Sequence, residues 1–196
     1  MGTARRLMRQ DERQAQVLAA AAVAFARGGF AATSMDDVAA EAGITRLIVY
    51  RHFESKEELY RAVLAGVTER IRDEFLAGMA RAPEARRGFV VGSLLAAARE
   101  DPDAFRLLMV HAAREPRFAA HHDEWWSLAL GVADLMVGET IGDPGLSAWA
   151  TRTLVATLVD TVLAWLDAGD RDRDGEFVAR ATDGMEAMFR AWTATP

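Results

Sequence analysis

The stretch Gly43–Leu59 reads GITRLIVYRHFESKEEL and sets three apolar residues, Leu47, Ile48 and Val49, directly ahead of the cluster Tyr50-Arg51-His52-Phe53. A short element that carries bulky apolar groups beside hydrogen-bond donors needs a geometry in which the two serve different faces. Just upstream, Ser34 to Asp37 (SMDD) has the hydroxyl-then-acid spacing of a capping box, so a helix begins there, with Asp37 reaching back. That helix ends near Gly43, and Thr45 offers the N-cap of the next. Val38, Ala39, Ala42, Ile44 and Val49 are the apolar positions, and the small Ala39 lets the two helices cross closely. Two short helices about a glycine turn have the spacing of a helix-turn-helix, whose second member lies in the DNA major groove. On that geometry Val49 faces inward. Leu47 and Ile48 lie near the groove, where apolar groups touch thymine methyls, and Arg46 is placed to donate to a guanine edge. Tyr50, His52 and Lys56 are placed to donate to phosphates.

Outward from this stretch the chain reads as helix throughout, an all-α class. From Gln14, the positions Leu18, Ala21, Ala22 and Phe25 form one face of an amphipathic helix that Gly28-Gly29 ends. Beyond residue 65, breaks at Pro83, Asp101-Pro102, Pro116, Gly142 to Gly145 and Gly169 to Gly175 mark five or six further helices. Segments 147–168 and 176–193 are apolar on more than one face, which implies burial on several sides.

Composition sets the outer bounds. With 196 residues, 51% apolar and 27% charged, the chain has ordinary globular composition, and one large domain or two smaller ones fit equally. The longest apolar run, Val17 to Ala26, is too short to span a bilayer, and no signal peptide or anchor is visible. The absence of cysteine excludes a disulfide framework and any thiolate metal site, and fits a cytoplasmic address. Net charge is −6, yet residues 1–61 carry nine Lys/Arg against eight Asp/Glu, so the acidic excess lies outside the N-terminal third. Arg5, Arg6, Arg9 and Arg13 precede the first helix, and Arg46, Arg51, Lys56 (the chain's only lysine) and Arg61 follow. One basic face on an acidic protein fits these charges, as does a mixed, solvated surface.

The run TSMDDVAAEAGITRLIVYRHFESKEELYRAVL, within residues 11–64, resembles the DNA-binding domain of the TetR family (TetR/AcrR-like) of transcriptional regulators. The correspondence lies in Gly43, Tyr50, the pair His52-Phe53 and Ser55-Lys56-Glu57, in order and spacing. It departs at Leu47-Ile48, where many members carry glycine and a small or hydroxyl residue. The resemblance implies phosphate binding by Thr33, Ser34, Thr45, Tyr50, His52 and Lys56, and base reading by Arg46, Leu47 and Ile48. It also implies a DNA-binding domain over 1–64 and a helical ligand-binding and dimerisation domain over 65–196. The last two helices would form a four-helix dimer interface, with Leu158, Val162, Trp165, Met185, Met188, Phe189 and Trp192 placed there. For a pocket among the middle helices, Phe75, Phe89, Phe105, Met109, Trp125, Trp126, Leu130 and Met136 supply apolar walls, with His111, Arg114 and Asp160 as orienting polar groups. Each of these is also ordinary packing material. Asp160, inside VATLVDTVLAW, is costly to bury unpaired, so it meets an arginine, caps a neighbour, faces the dimer axis or receives a cationic ligand.

The resulting expectation is a homodimeric, cytoplasmic repressor without a cofactor, released from a palindromic operator by a small, largely apolar effector. Its two recognition helices would match half-sites about 34 Å apart or a multiple of that. Two other classes stand beside it: a helical ligand-binding or scaffold protein without operator binding, and an all-helical enzyme. Against an enzyme, no nucleophile elbow, phosphate-binding glycine loop or nucleotide fingerprint occurs. Asp170 to Glu176 (DRDRDGE) imitates the start of an EF-hand loop, but Ala181 stands where a bidentate glutamate is required. His121-His122-Asp123-Glu124 offers metal-capable groups without a ligand spacing, so no metal is expected.

Overall fold

A computed structural model describes residues 2–82, 84 and 87–193, apart from the side chains of residues 2–10 and of Met136. The break expected at Pro83, the side chains of Arg5, Arg6 and Arg9, and the wall role of Met136 therefore lie outside the described residues. Among the described residues every regular element is helical. They form two compact units, one comprising the chain up to Glu69 with Asp101–His121, the other Arg70–Glu100 with the chain from His122 onward. Packing thus divides the chain differently from a cut at 64/65, because 101–121 belongs with the N-terminal unit.

In the first unit, α1 (Gly2–Ala32) begins well before Gln14, so Arg13 lies inside the helix and not ahead of it. Its backbone breaks at Gly29, whose φ of 72° and ψ of 167° suit a residue without a side chain. The stretch Asp11–Ala32 is long and apolar enough to cross a membrane (22 residues, mean hydropathy 1.4), a longer span than the ten-residue run suggested. Its apolar face is occupied otherwise: Val17, Ala21, Ala22 and Phe25 are fully buried in the core of this unit. Next come α2 (Met35–Glu41), α3 (Arg46–His52) and the start of α4 (Lys56–Met79). The segment 101–121 adds α6 (Pro102–Arg106), then a π-helical turn at Leu107–His111 and a 3-10 turn at Ala112–Arg114. Asp101 caps α6 by accepting from the Ala104 amide. Phe118, late in the segment, is fully buried, with its ring 4.3 Å from Tyr60 and 4.8 Å from Phe30. Burial of Tyr60, with the nearby Glu115 carboxylate adding to it, pushes the phenol up to about 12.

The second unit contains α5 (Phe89–Glu100), most of α7 (Ala119–Val137), α8 (Pro144–Ala168) and α9 (Asp174–Thr193). Asp143 caps α8 and Pro144 opens it, so the helix starts ahead of the expected 147, inside the Gly142–Gly145 break. The final helix starts at Asp174, two residues ahead of the expected 176, because Asp174 anchors the loop. Arg99 of α5 grips its carboxylate through Nε and Nη2, at 3.1 and 2.8 Å, and Trp165 Nε1 donates to it as well. Burial pushes the Asp174 carboxyl up, but the hydrogen bonds from Arg99 and Trp165 outweigh it and hold the group below its ordinary value. Trp165 also stacks on Phe177 at 4.8 Å. Two acids of the EF-hand-like loop have structural partners: Asp170 caps the turn Arg171–Arg173 and Asp174 pairs with Arg99.

Asp174→Asn is expected to destabilise the chain by about 2 kcal/mol at pH 7, since a charge-assisted, mostly buried bond is weakened. Because the folded carboxyl is held low, its contribution is present above the ordinary value of about 3.9 and disappears as pH falls through the folded value. Urea unfolding of both proteins from pH 7 downward should show the difference shrinking below about pH 4.

Candidate nucleic-acid interface

The geometry of the first unit turns on Gly43. Its φ of 64° is open to glycine at no steric cost. The Gly43 amide donates to Ala40 O and the Ile44 amide to Ala39 O, the two bonds of a Schellman turn. Gln16 of α1 donates to Ala42 O at 2.8 Å, tying the turn to the core helix. At the other end of α2, the capping box is present as expected: the Asp37 amide donates to Ser34 Oγ and the Ser34 amide to the Asp37 carboxylate. The hydrogen bonds from the Ser34 hydroxyl and amide hold the Asp37 carboxyl below its usual range.

Helix α3 is thereby presented with one face in and one face out. Val49 is 0% exposed and Phe53 is buried, whereas Arg46, Leu47, Tyr50 and Arg51 are exposed, Leu47 at 63%. Ile48 and His52 flank this face, half-buried. Thr45 caps the helix through its backbone conformation, with no side-chain bond, so its hydroxyl is not used by the cap. Arg46 Nη1 lies 2.9 Å from Asp36 Oδ2, Nη2 donates to Tyr50 Oη at 3.3 Å, and the guanidinium sits 5.1 Å from the Tyr50 ring centre. The bond to Tyr50 and the charge of Asp36 hold the Arg46 guanidinium still more firmly protonated. Arg51, four residues after Leu47 on the same face, was not singled out from sequence as a contact, although that spacing marks it.

Two expected phosphate binders have partners within the fold. Thr33 is buried, and its hydroxyl donates to Ala24 O and Gly29 O, satisfying carbonyls where α1 breaks. Lys56 Nζ donates to Phe30 O at 2.7 Å and Thr33 O at 2.8 Å, and lies 4.4 Å from the Phe30 ring centre. Its charge neutralises the carbonyl end of α1. Ser34 is exposed, but its hydroxyl is engaged with Asp37.

The expected pocket residues fall in both units. Phe105, Met109, His111 and Arg114 belong to the first unit, with Phe105 fully buried, and Phe75, Phe89, Trp125, Trp126, Leu130 and Asp160 to the second. In the second unit Phe75 lies 5.4 Å from Phe89, Trp125 lies 5.9 Å from Trp126, and His122 stacks on Trp126 at 5.6 Å. Asp160 is exposed, so the burial penalty anticipated for it does not arise within the chain. Of the expected dimer residues, Val162 is 0% exposed and belongs to the core, and Trp165 is half-buried and bound to Asp174 and Phe177 within the chain. Leu158, Met185, Met188, Phe189 and Trp192 are half-buried. A groove of about 510 Å³ lies within the first unit, lined by Phe30, Ala31, Ser55, Lys56, Glu57, Glu115 and Arg117, none of them an expected pocket residue.

A glycine turn, a buried anchor and an exposed Arg/Leu/Tyr face define a helix-turn-helix DNA-binding protein. Comparison with known proteins agrees. Residues 17–63 match the family described as "Bacterial regulatory proteins, tetR family". The chain is 31% identical over 185 residues to the HTH-type transcriptional activator FasR of Mycolicibacterium smegmatis, covering 88% of this chain and 80% of that protein. It is 44% identical over 64 residues to the HTH-type transcriptional regulator YfiR of Bacillus subtilis, 32% of this chain and 31% of that one. Its fold is similar to that of a TetR-like transcriptional regulator from Rhodococcus sp. RHA1, with a TM-score of 0.76 and 18% identity over 93% of this chain and 97% of that one. The chain belongs to the tetR family of bacterial regulatory proteins. It is a DNA-binding transcriptional regulator and not an enzyme.

Two substitutions separate fold from contact. Lys56→Met should lower stability by about 2 kcal/mol, as charge-assisted bonds to α1 are lost, and leave the slope of log K against log salt unchanged. Tyr50→Phe should leave the unfolding midpoint in place and weaken binding to random DNA about fivefold. Thermal melts and salt titrations of DNA binding by fluorescence anisotropy check both.

Proposed function

We propose that the chain is a homodimeric, cytoplasmic repressor that binds a palindromic operator and is released by a small, largely apolar effector. The observation that carries the DNA-reading part is the exposed face of α3, where Arg46, Leu47 and Tyr50 stand on the fully buried Val49. Arg46 and Leu47, with the half-buried Ile48, suit guanine edges and thymine methyls, and Thr45, Tyr50 and Arg51 suit the flanking phosphates. Two such helices in a dimer would address half-sites about 34 Å apart.

Support for the dimer comes from the outer faces of α8 and α9. Trp149 is 49% exposed and lies 4.6 Å from Trp192, with Leu146 exposed nearby in sequence, and Met185, Met188 and Phe189 are half-buried along α9. Apolar surface of this kind is stabilised when a second copy covers it. Asp160, exposed on α8, remains solvated or faces the partner there. Support for an apolar effector with one hydrogen-bond acceptor comes from Trp126, whose indole N–H is buried without an acceptor among the described residues. An effector shifts the equilibrium only through a difference in affinity, so it must bind the DNA-incompetent arrangement more tightly.

The name of the M. smegmatis relative, a transcriptional activator, favours a second reading in which the bound chain promotes transcription. Run-off transcription from a template bearing the operator distinguishes the two by the sign of the change.

Selection of bound duplexes from a random pool tests the proposal. Wild-type chain should enrich an inverted repeat, and Arg46→Ala should lose preference at one or two base pairs per half-site; no enrichment at low salt would defeat it. Trp149→Glu should sediment as a monomer and bind the full operator no better than a single half-site. A dimeric Trp149→Glu would move the interface elsewhere.

A further inference from the structure

The pair Asp36–Arg46 is hard to explain by stability. Both side chains are exposed, at 61% and 58%, and such a pair contributes about 0–1 kcal/mol at most. Asp36 lies in the first turn of α2, where the helix dipole favours a carboxylate by about 0.3–1 kcal/mol, but it does not cap the helix, since Ser34 and Asp37 form that box between them. On a surface that meets phosphates, a carboxylate is repelled, so its placement there carries a cost in general DNA affinity. What it does achieve is orientation. Asp36 takes one N–H of Arg46 at 2.9 Å, Tyr50 Oη takes another at 3.3 Å, and the Tyr50 ring lies 5.1 Å from the guanidinium. A guanidinium carries five donors in a rigid planar fork, so two anchored N–H groups fix the plane and the direction of the other three.

We propose that Asp36 is a specificity-determining positioning residue: it holds the Arg46 fork toward a base edge and away from the neighbouring phosphates. This rests on the reading of Arg46 as a base contact. An arginine on a flexible stem satisfies itself on the nearest phosphate, which carries no sequence information. One clamped by a carboxylate on the preceding helix meets guanine O6 and N7 with its geometry already set. The same carboxylate lowers affinity for DNA that lacks the matching guanine, so specificity rises from both sides.

The test uses full-length chain and two duplexes: the inverted repeat selected by wild type, and a random-sequence duplex of the same length. Asp36→Asn is expected to lower the ratio of operator to random affinity by about tenfold, with random-DNA affinity rising and the lost discrimination confined to guanine positions. Asp36→Glu should restore part of the ratio. Thermal melting of Asp36→Asn should match wild type, which a purely structural role would not allow together with lost discrimination. If Arg46→Ala abolishes guanine preference but Asp36→Asn keeps the wild-type ratio, the positioning role is overturned and the base contact stands. If Arg46→Ala itself leaves guanine preference intact, the base contact fails and the positioning role falls with it.

Discussion

A φ of 64° at Gly43, with the Schellman bonds to Ala39 and Ala40, sets the angle at which α3 leaves α2, and the surface beyond depends on that angle. A side chain there would be strained by about 1–2 kcal/mol, and the chain would tend to turn elsewhere. With the turn in place, Val49 and Phe53 enter the core and Arg46, Leu47, Tyr50 and Arg51 point outward together. Seven residues are too few for a stable isolated helix, so α3 holds its shape through the turn before it and the anchor beneath it. Bulky apolar residues and donors share the element because they serve opposite faces, with Leu47 as the apolar group turned outward.

The core behind this surface uses the same economy of charge and aromatic packing. Lys56 closes the carbonyl end of α1, Thr33 satisfies the break at Gly29, and Phe25, Phe30, Tyr60 and Phe118 join α1, α4 and the segment 101–121 into one aromatic cluster. Arg117 adds a surface pair to Glu57 at 2.7 Å. The DNA-reading unit therefore contains chain from well beyond residue 64. Segment 101–121 continues at both ends into the second unit.

Legibility in the sequence followed the range of the interaction. Ser34 with Asp37, Gly43, Asp143 with Pro144, and the inward Val49 are local signals, each written within a few residues, and each could be read without coordinates. Lys56 and Thr33 could not, because the partners of Lys56 are residues 30–33, more than twenty positions away, and those of Thr33 lie across a helix break. Helix α8 hid its orientation for another reason: apolar residues on several faces give no period by which to tell Val162, in the core, from Asp160, on the surface. The π-helical turn at Leu107–His111 likewise breaks the helical period, so nothing local showed that Phe105 and Met109 belong to the first unit. Asp36 escaped notice because its partner is ten residues away across the turn.

The central claim is that the outward face of α3 reads the major groove with Arg46 at a guanine. Methylation interference at guanine N7, on operator DNA bound by the intact chain, tests this most directly, because N7 lies in the major groove. Interference in two patches, about one helical turn apart on one face of the duplex, is the predicted result. Binding that persists with every N7 methylated, while minor-groove methylation at adenine N3 abolishes it, would contradict the account.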